Sequence, residues 1–423
     1  MELELLTIGT ELLLGFTLDT NAAELATALS AAGVRVTRGT TVSDDEASIR
    51  TAVLGGLERT GFVITTGGLG PTRDDITKQV VADLFHAPLE LDNAYLEELR
   101  QRFERFGRGP MSEKNRSQAE IPRGATKLVN RWGTAPGLWL EGEPGIVVML
   151  PGVPREMRGL LADEVLPRIR KRVAVQTGKQ ALVTRSRVLR TTGISESSLA
   201  DVLDGVEEAI APLTLAFLPT VAGVDLRLTA WEMEGGASET RLGRAVDLLL
   251  PRLGSRYYAS DDGDLAAVLL EALGGAGHRL AVAESCTGGL VGGRLTAVPG
   301  SSAVFIGGVV AYDDRVKEAI LGVPKAILEA HGAVSEAVAT AMADGVATRF
   351  GTAAAVAVTG IAGPGGGTEE KPVGTVCIAG RVGDAQRVVR RVIPGDREGI
   401  RQRSAQAALD LLRGLVNPGS HTQ

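Results

Sequence analysis

The chain contains very little cysteine: Cys286 and Cys377 are the only two in 423 residues. That excludes a disulfide framework and a thiolate zinc site. Aromatic residues contribute 4%, so the cores must be built mainly from Ala, Val, Leu and Ile. An excess of positive charge is also missing. The formal net charge is -6 and the pI is near 5.5, which disfavours a general nucleic-acid-binding surface. No uncharged apolar run reaches the roughly 18 to 20 residues that span a bilayer. The opening MELELLTIGTELL carries acids in place of a basic n-region and does not read as a secretory signal. A soluble, reducing, cytoplasmic location is the expectation. What the chain does have is glycine, 54 residues of it, within an ordinary globular balance of 44% hydrophobic and 23% charged residues. Its length suits two or three domains.

One stretch organises the rest. The run 280–289, LAVAESCTGG, is apolar until it stops at an acid, a hydroxyl, a thiol and a second hydroxyl, followed by paired glycines. An α/β fold places chemistry where such a strand ends and a Gly-rich helix start opens, because side chains meet free backbone N–H groups there. Ser285 is the first candidate nucleophile; capping of the helix by Ser285 or Thr287 is the competing role. Cys286 is a rival nucleophile. Neighbours at a strand end point opposite ways, so only one of the two faces the cleft, and spacing does not say which.

The N-terminal part alternates strands (4–9, 34–36, 61–66, 145–150) with helices (22–32, 46–58, 76–85), the pattern of a parallel sheet wrapped by helices. Polar loops follow these strands in the same sense: Glu11 with Asn21, Asp44 with Asp45, and Asp74 with Asp75. In a parallel sheet such loops gather at one edge. Gly67, Gly68 and Gly70 of GGLGP can present N–H groups to a phosphate, with convergent carboxylates holding a divalent metal beside it. Each acid taken alone also suits a helix cap or a turn. Residues 93–107 form a charged amphipathic helix, and the basic stretch 167–179 reads as a boundary. Residues 181–254 have an α+β grammar, with alternating strands at 182–192, 213–218 and 224–231 and helices at 195–210 and 243–253. That module lacks a lysine-rich or aromatic stacking surface and reads as a structural spacer. The expected domains are 1–175, 176–256 and 257–417.

In the last domain three strand ends carry distinctive groups: Ser285, Tyr312 with Lys317, and Thr359 with the glycine-rich loop 360–367. A serine becomes a useful nucleophile only when a neighbour takes its proton. His278 precedes its strand and falls at the opposite end, His421 is in the tail, and His86 belongs to the first domain. His331 is the one histidine placed to serve, with a helix-entry hydrogen bond as its competing role. Lys317 offers a Ser–Lys pair oriented by Tyr312, a variant of the triad logic. The run from Gly363 to Gly367 can supply N–H groups to a phosphate or a developing oxyanion, with a flexible turn as its competing role. Arg397 and Arg401 share a helix face, fit to grip a phosphate or simply to be solvated.

Assembled in order, AESCTGG, the Tyr312–Lys317 segment, HGAVSE, TGIAGPGGG with EEKPVGT, and PGDR resemble the nicotinamide mononucleotide deamidase domain of the CinA (competence/damage-inducible protein) family. TIGTELLLG, DTN, VSDD, TTGGLGPTRDD and LPGVPREM resemble that family's molybdopterin-binding, MoaB/MogA-like domain. The resemblance implies two α/β domains joined by a small α+β, KH-like module. It implies hydrolysis of the nicotinamide mononucleotide carboxamide to nicotinate mononucleotide and ammonia, with Ser285 as nucleophile, Tyr312 and Lys317 activating it, and no cofactor. Thr287, Gly288, Thr359, Gly360, Gly363, Arg397 and Arg401 would line that site. For the N-terminal domain it implies metal-dependent hydrolysis of ADP-ribose to AMP and ribose 5-phosphate. Glu11, Asn21, Gly67, Gly68, Gly70 and Asp74 would bind there, with Asp44, Asp45 and Asp75 at the metal. A homodimer is implied, and no membrane or nucleic-acid partner. The competing functions are a non-catalytic scaffold in competence or DNA recombination, suggested by the KH-like module, and a pterin-binding protein, suggested by the first domain.

Overall fold

The computed structural model describes residues 1–105, 111–177 and 182–416. The tail from Asn417 with His421, and the ends of the stretches 93–107 and 167–179, lie outside the described residues. The chain separates into two compact units. One is Met1–Arg185 with Ala230–Glu239; the other is Ser186–Thr229 with the residues from Thr240 onward.

The first unit is built on a six-stranded sheet in the order Arg35–Val42, Glu2–Ile8, Phe62–Thr66, Gly145–Leu150, Gly137–Gly142, Thr126–Leu128. The first four strands are parallel and the last two antiparallel. Side-chain alternation divides the core. Leu3 and Leu5 pack with Leu25, Leu29, Met157 and Leu160 on one face. Leu6 and Ile8 pack with Ile49, Val53, Val80 and Val81 on the other. Helix Thr20–Ala31 starts where Asp19 accepts the Ala22 N–H at 2.9 Å. Helix Glu46–Thr60 ends at Gly61, whose φ of 69° suits glycine. The second strand runs to Val42, well past the expected 34–36, because its run of threonines pairs with the whole of Glu2–Ile8.

A four-stranded sheet runs in the order Thr214–Pro219, Val224–Glu234, Leu182–Thr191, Tyr257–Ser260, with its residues 182–185 and 230–234 counted in the first unit and the rest in the second. The helix expected over 195–210 is two, Glu196–Val202 and Val206–Ile210, divided at Gly205 with φ 72°. The last domain carries a five-stranded sheet, Phe305–Val310, Leu280–Glu284, Ala354–Gly360, Thr375–Val382, Ala385–Val392. The first three strands are parallel. The last two are antiparallel because a short hairpin through Gly383, φ 57°, joins them. Both α/β sheets therefore contain the parallel strands expected, extended at one edge by antiparallel ones.

The two faces of this last sheet differ in kind. On one, Leu280, Val282, Val356 and Val358 meet the helices Leu265–Gly275, Leu290–Thr296 and Arg397–Val416 through branched residues such as Leu269, Leu295 and Leu409. On the other, Ala281, Ala283, Ala355, Ala357 and Ala379 meet helix Glu336–Phe350 through Ala339, Ala343 and Ala347. That layer is thin. A Cβ at Gly345 would lie 1.9 Å from the Leu321 carbonyl oxygen, so glycine is what lets this helix meet the end of helix Asp314–Leu321.

Candidate active site

Ser285 stands one residue past strand Leu280–Glu284 and continues its ladder, donating its N–H to the Val358 carbonyl at 2.9 Å. It is buried. Alternation puts it on the face of Ala281 and Ala283, whereas Cys286 packs with Leu280 and Val282 on the opposite face. The Cys286 sulfur also lies 3.1 Å from where a Gly360 Cβ would stand. Burial pushes its thiol up to about 12. A thiol so shifted is overwhelmingly protonated at neutral pH, and the thiolate is the reactive form. Native protein at pH 8 should therefore resist alkylation by iodoacetamide, with modification appearing only on unfolding. Rapid labelling of Cys286 in the native state would restore it as a rival to Ser285.

Lys317 lies on helix Asp314–Leu321 and is, among the described residues, the largest fully buried side chain, 1% exposed. Its Nζ donates to the Tyr312 carbonyl at 3.2 Å and to Asp314 Oδ1 at 3.0 Å. Tyr312 is exposed, and its hydroxyl accepts from Arg397 Nη2 at 3.1 Å. Arg397 Nη1 donates to the Gly363 carbonyl at 2.5 Å. Tyr312, Lys317, Gly363 and Arg397 are thus one connected group. Thr359 is buried and donates its hydroxyl to the Ala333 carbonyl at 2.8 Å. Thr287 is also buried, and its hydroxyl finds no partner among the described residues. Gly288, at φ 60°, donates its N–H to the Ser285 carbonyl at 3.1 Å.

Two expectations change. His331 does not enter a helix; it ends helix Lys325–His331, exposed, with its carbonyl taking Lys371 Nζ at 2.8 Å. Periodicity hid that short helix. Arg401 does not share the group around Arg397. Its guanidinium donates to the Cys286 carbonyl at 3.3 Å, the Thr287 carbonyl at 3.1 Å and Glu398 at 3.0 Å.

In the first unit the predicted residues do come to the sheet edge, but most are committed locally. Asp45 caps helix Glu46–Thr60 through Ser48 N–H at 2.9 Å, and the Ser43 and Ser48 hydroxyls help hold its carboxyl down to about 2. Asp44 accepts the Thr10 N–H at 2.7 Å, and Asp75 the Thr72 N–H at 2.8 Å. Glu11 and Asp74 are exposed. Gly67 and Gly68 are obligatory. At φ 109° and 68°, their Cβ atoms would lie 2.1 Å from the Ile8 carbonyl oxygen and 2.0 Å from the Thr77 hydroxyl. At Gly70 a Cβ would meet the Asp75 carboxylate at 2.4 Å. Asn21 is buried, donates to Thr66 Oγ1 at 3.0 Å and the Gly152 carbonyl at 2.8 Å, and among the described residues leaves its Oδ1 without a partner. Among the described residues no group of three or more His, Cys, Asp or Glu side chains stands close enough to hold an ion. Asp44, Asp45 and Asp75 do not fit a cage made by protein alone.

Lys78, on helix Thr77–Leu84, escaped the sequence reading. Its Nζ donates to the Ser117 carbonyl, and burial pushes its ammonium from 10.5 down to about 8 despite the nearby Glu120 and Asp75. The folded state then holds its proton less tightly than the unfolded state. This cost is full below pH 8 and fades as pH rises towards 10.5. Lys78→Met should stabilise the protein at pH 7, by about 3 kcal/mol at most, less the lost hydrogen bond. The gain should shrink by pH 10, as urea midpoints at the two pH values would show. An equal gain at both would mean that the charge is not the cause.

These parts define a chain with two α/β domains flanking a KH-like module. Matching family models are the probable molybdopterin binding domain over residues 4–171, the damage-inducible protein CinA KH domain over 186–259, and the CinA C-terminal domain over 262–416. A CinA-like protein of Gemmatimonas aurantiaca is 54% identical over 416 residues, covering 98% of this chain and 96% of that one. A CinA-like protein of a Synechococcus species is 45% identical, covering 97% of each chain. Among solved structures, the competence/damage inducible protein CihA of Agrobacterium tumefaciens is 42% identical, covering 36% of this chain and 93% of that one with a TM-score of 0.35. The chain belongs to the CinA family. No helix among the described residues is long and apolar enough to cross a membrane.

Proposed function

We propose that the last domain hydrolyses the carboxamide of nicotinamide mononucleotide to nicotinate mononucleotide and ammonia. The observation that carries this reading is the placement of a buried serine at a strand end, on the sheet face whose covering helices include the one bearing the buried Lys317. Family membership supports the choice of substrate. Ser285 Oγ attacks the carboxamide carbon as Lys317 takes its proton. The Lys317 ammonium so formed is held by Asp314 and the Tyr312 carbonyl, much as a carboxylate holds the imidazolium of a serine triad. The C–N bond then breaks, the amine leaves with that proton as ammonia, and water hydrolyses the acyl-serine to the carboxylate. Arg397, joined to Tyr312 and Gly363, would meet the phosphate, with Thr359 and Gly360 lining the strand end.

In the first domain the reading is hydrolysis of ADP-ribose by water to AMP and ribose 5-phosphate, at the edge formed by Gly67, Gly68, Gly70 and Asn21. A divalent ion remains part of that proposal. Since the acids form no closed cage, such an ion would share one or two carboxylates with the substrate's own phosphates. The test is incubation of the full chain with each nucleotide, reading ammonia from nicotinamide mononucleotide and AMP from ADP-ribose with and without magnesium. No ammonia release would end the amidase reading, and no AMP under either condition would end the second. Pterin retained by the purified protein would favour the pterin-binding alternative.

A further inference from the structure

We propose that Glu284 and Arg401 are positioning residues that clamp the Ser285–Gly289 turn from opposite sides and aim an N–H group at the reacting amide. This rests on the amidase reading, but the clamp itself is a matter of geometry. Glu284 is buried, 2% exposed, and among the described residues its carboxylate forms no ion pair. It accepts instead from three backbone N–H groups: Gly289 at 2.9 Å, Val291 at 3.1 Å and Gly292 at 2.8 Å. The first donors of helix Leu290–Thr296 are therefore already taken by a carboxylate of the same chain. They are closed to a substrate phosphate or an oxyanion.

The donors that remain beside the serine belong to Cys286 and Thr287, and both N–H groups also lie within reach of the Cys286 sulfur. Their direction is set from the other side. Arg401 Nε and Nη2 hold the carbonyls of Cys286 and Thr287. In a planar trans peptide the C=O and the following N–H point opposite ways. Fixing the Cys286 carbonyl towards Arg401 therefore turns the Thr287 N–H away from it. The N–H next after the nucleophile, here that of Cys286, is the usual donor to the oxygen that gains charge during acyl transfer, and the Thr287 N–H whose direction Arg401 sets is the second donor one residue on. Arg401 reaches this turn from helix Arg397–Val416, so that helix sets both the Arg397 group and the angle of the turn. On this view Arg401 serves the turn and does not hold the substrate phosphate.

Arg401→Gln, Arg401→Lys and Glu284→Gln test this by two independent readouts. In hydrogen exchange, a peptide covering Glu284 to Gly292 should lose protection by about tenfold or more in Arg401→Gln and Glu284→Gln, with the strand Thr375–Val382 unchanged. Unchanged exchange across the turn would overturn the clamp whether or not the wild type turns over the nucleotide. In steady-state kinetics, Arg401→Gln should lower kcat by roughly 10- to 100-fold with KM nearly constant, since one oriented donor is worth up to about 10²–10³. Nicotinamide riboside, which lacks the phosphate, should lose the same factor. Arg401→Lys, which keeps the charge but not the fork, should recover part of kcat. A raised KM with kcat kept, and a loss confined to the phosphorylated substrate, would show instead that Arg401 binds phosphate. A wild type that releases no ammonia would count against the amidase reading alone, with hydrogen exchange still deciding the clamp.

Discussion

Ser285→Ala should lower ammonia release from nicotinamide mononucleotide by about 10³-fold or more, while Cys286→Ala keeps most of it. Loss of a covalent nucleophile removes the acyl-enzyme route, and only binding and the oxyanion donors are left. The substitution is sterically mild, because Ser285 is held by its backbone N–H in the Val358 ladder and alanine preserves that bond. Melting curves should therefore coincide. Cys286→Ala is different in kind. It empties space in a packed layer beside Leu280 and Val291 and should cost about 1 kcal/mol of stability without removing chemistry. Full activity in Ser285→Ala combined with its loss in Cys286→Ala would exchange the roles of the two neighbours.

Lys317→Met should lower kcat by about 10²–10⁴-fold, the range for a positioned acid–base group. Methionine is close to lysine in length and suits a site that is 1% exposed. Its partner Asp314 is largely exposed and is readily solvated once the ammonium is gone, so the fold should survive the change. The comparison is His331→Ala, which should be nearly silent, because that side chain ends a surface helix. A harmless Lys317→Met beside a damaging His331→Ala would move the base to the histidine. Circular dichroism on both variants separates lost chemistry from lost structure.

Much of the last domain was legible because its strands are apolar runs that stop at polar residues. LAVAE, FIGGVV and AAVAVTG mark three strand ends, and those ends bring Ser285, Tyr312 and Thr359 to one edge. Ser335, the residue before helix Glu336–Phe350, accepts the Val338 N–H at 3.3 Å as a serine at a helix start does. What stayed hidden depends on partners distant in sequence. The short strand Thr126–Leu128 and strand Gly137–Gly142 exist because an edge was available to pair with. The burial of Lys317 comes from helix packing, which an isolated DRVKEAIL segment does not announce. Arg401 shows the limit of helical spacing: i, i+4 predicted a face shared with Arg397, but beside Glu398 its guanidinium is held by two carbonyls more than a hundred residues away. At the first domain's edge the single-residue reading proved the better guide for Asp45, since the helix start was its nearest unsatisfied neighbour.

The alanine layer beneath Ser285 also shapes how this protein can change over time. On the leucine-rich side of the sheet, one branched residue can drift into another with small repacking costs. On the alanine side, enlarging Ala283, Ala343 or Ala357 would wedge helix Glu336–Phe350 away from the strands it covers. That helix meets the one bearing Lys317 at Gly345. A lineage exploring new side chains thus has freedom on one face and almost none on the other. Steric crowding alone would keep the face that carries Ser285 frozen, whatever selection acts on the site.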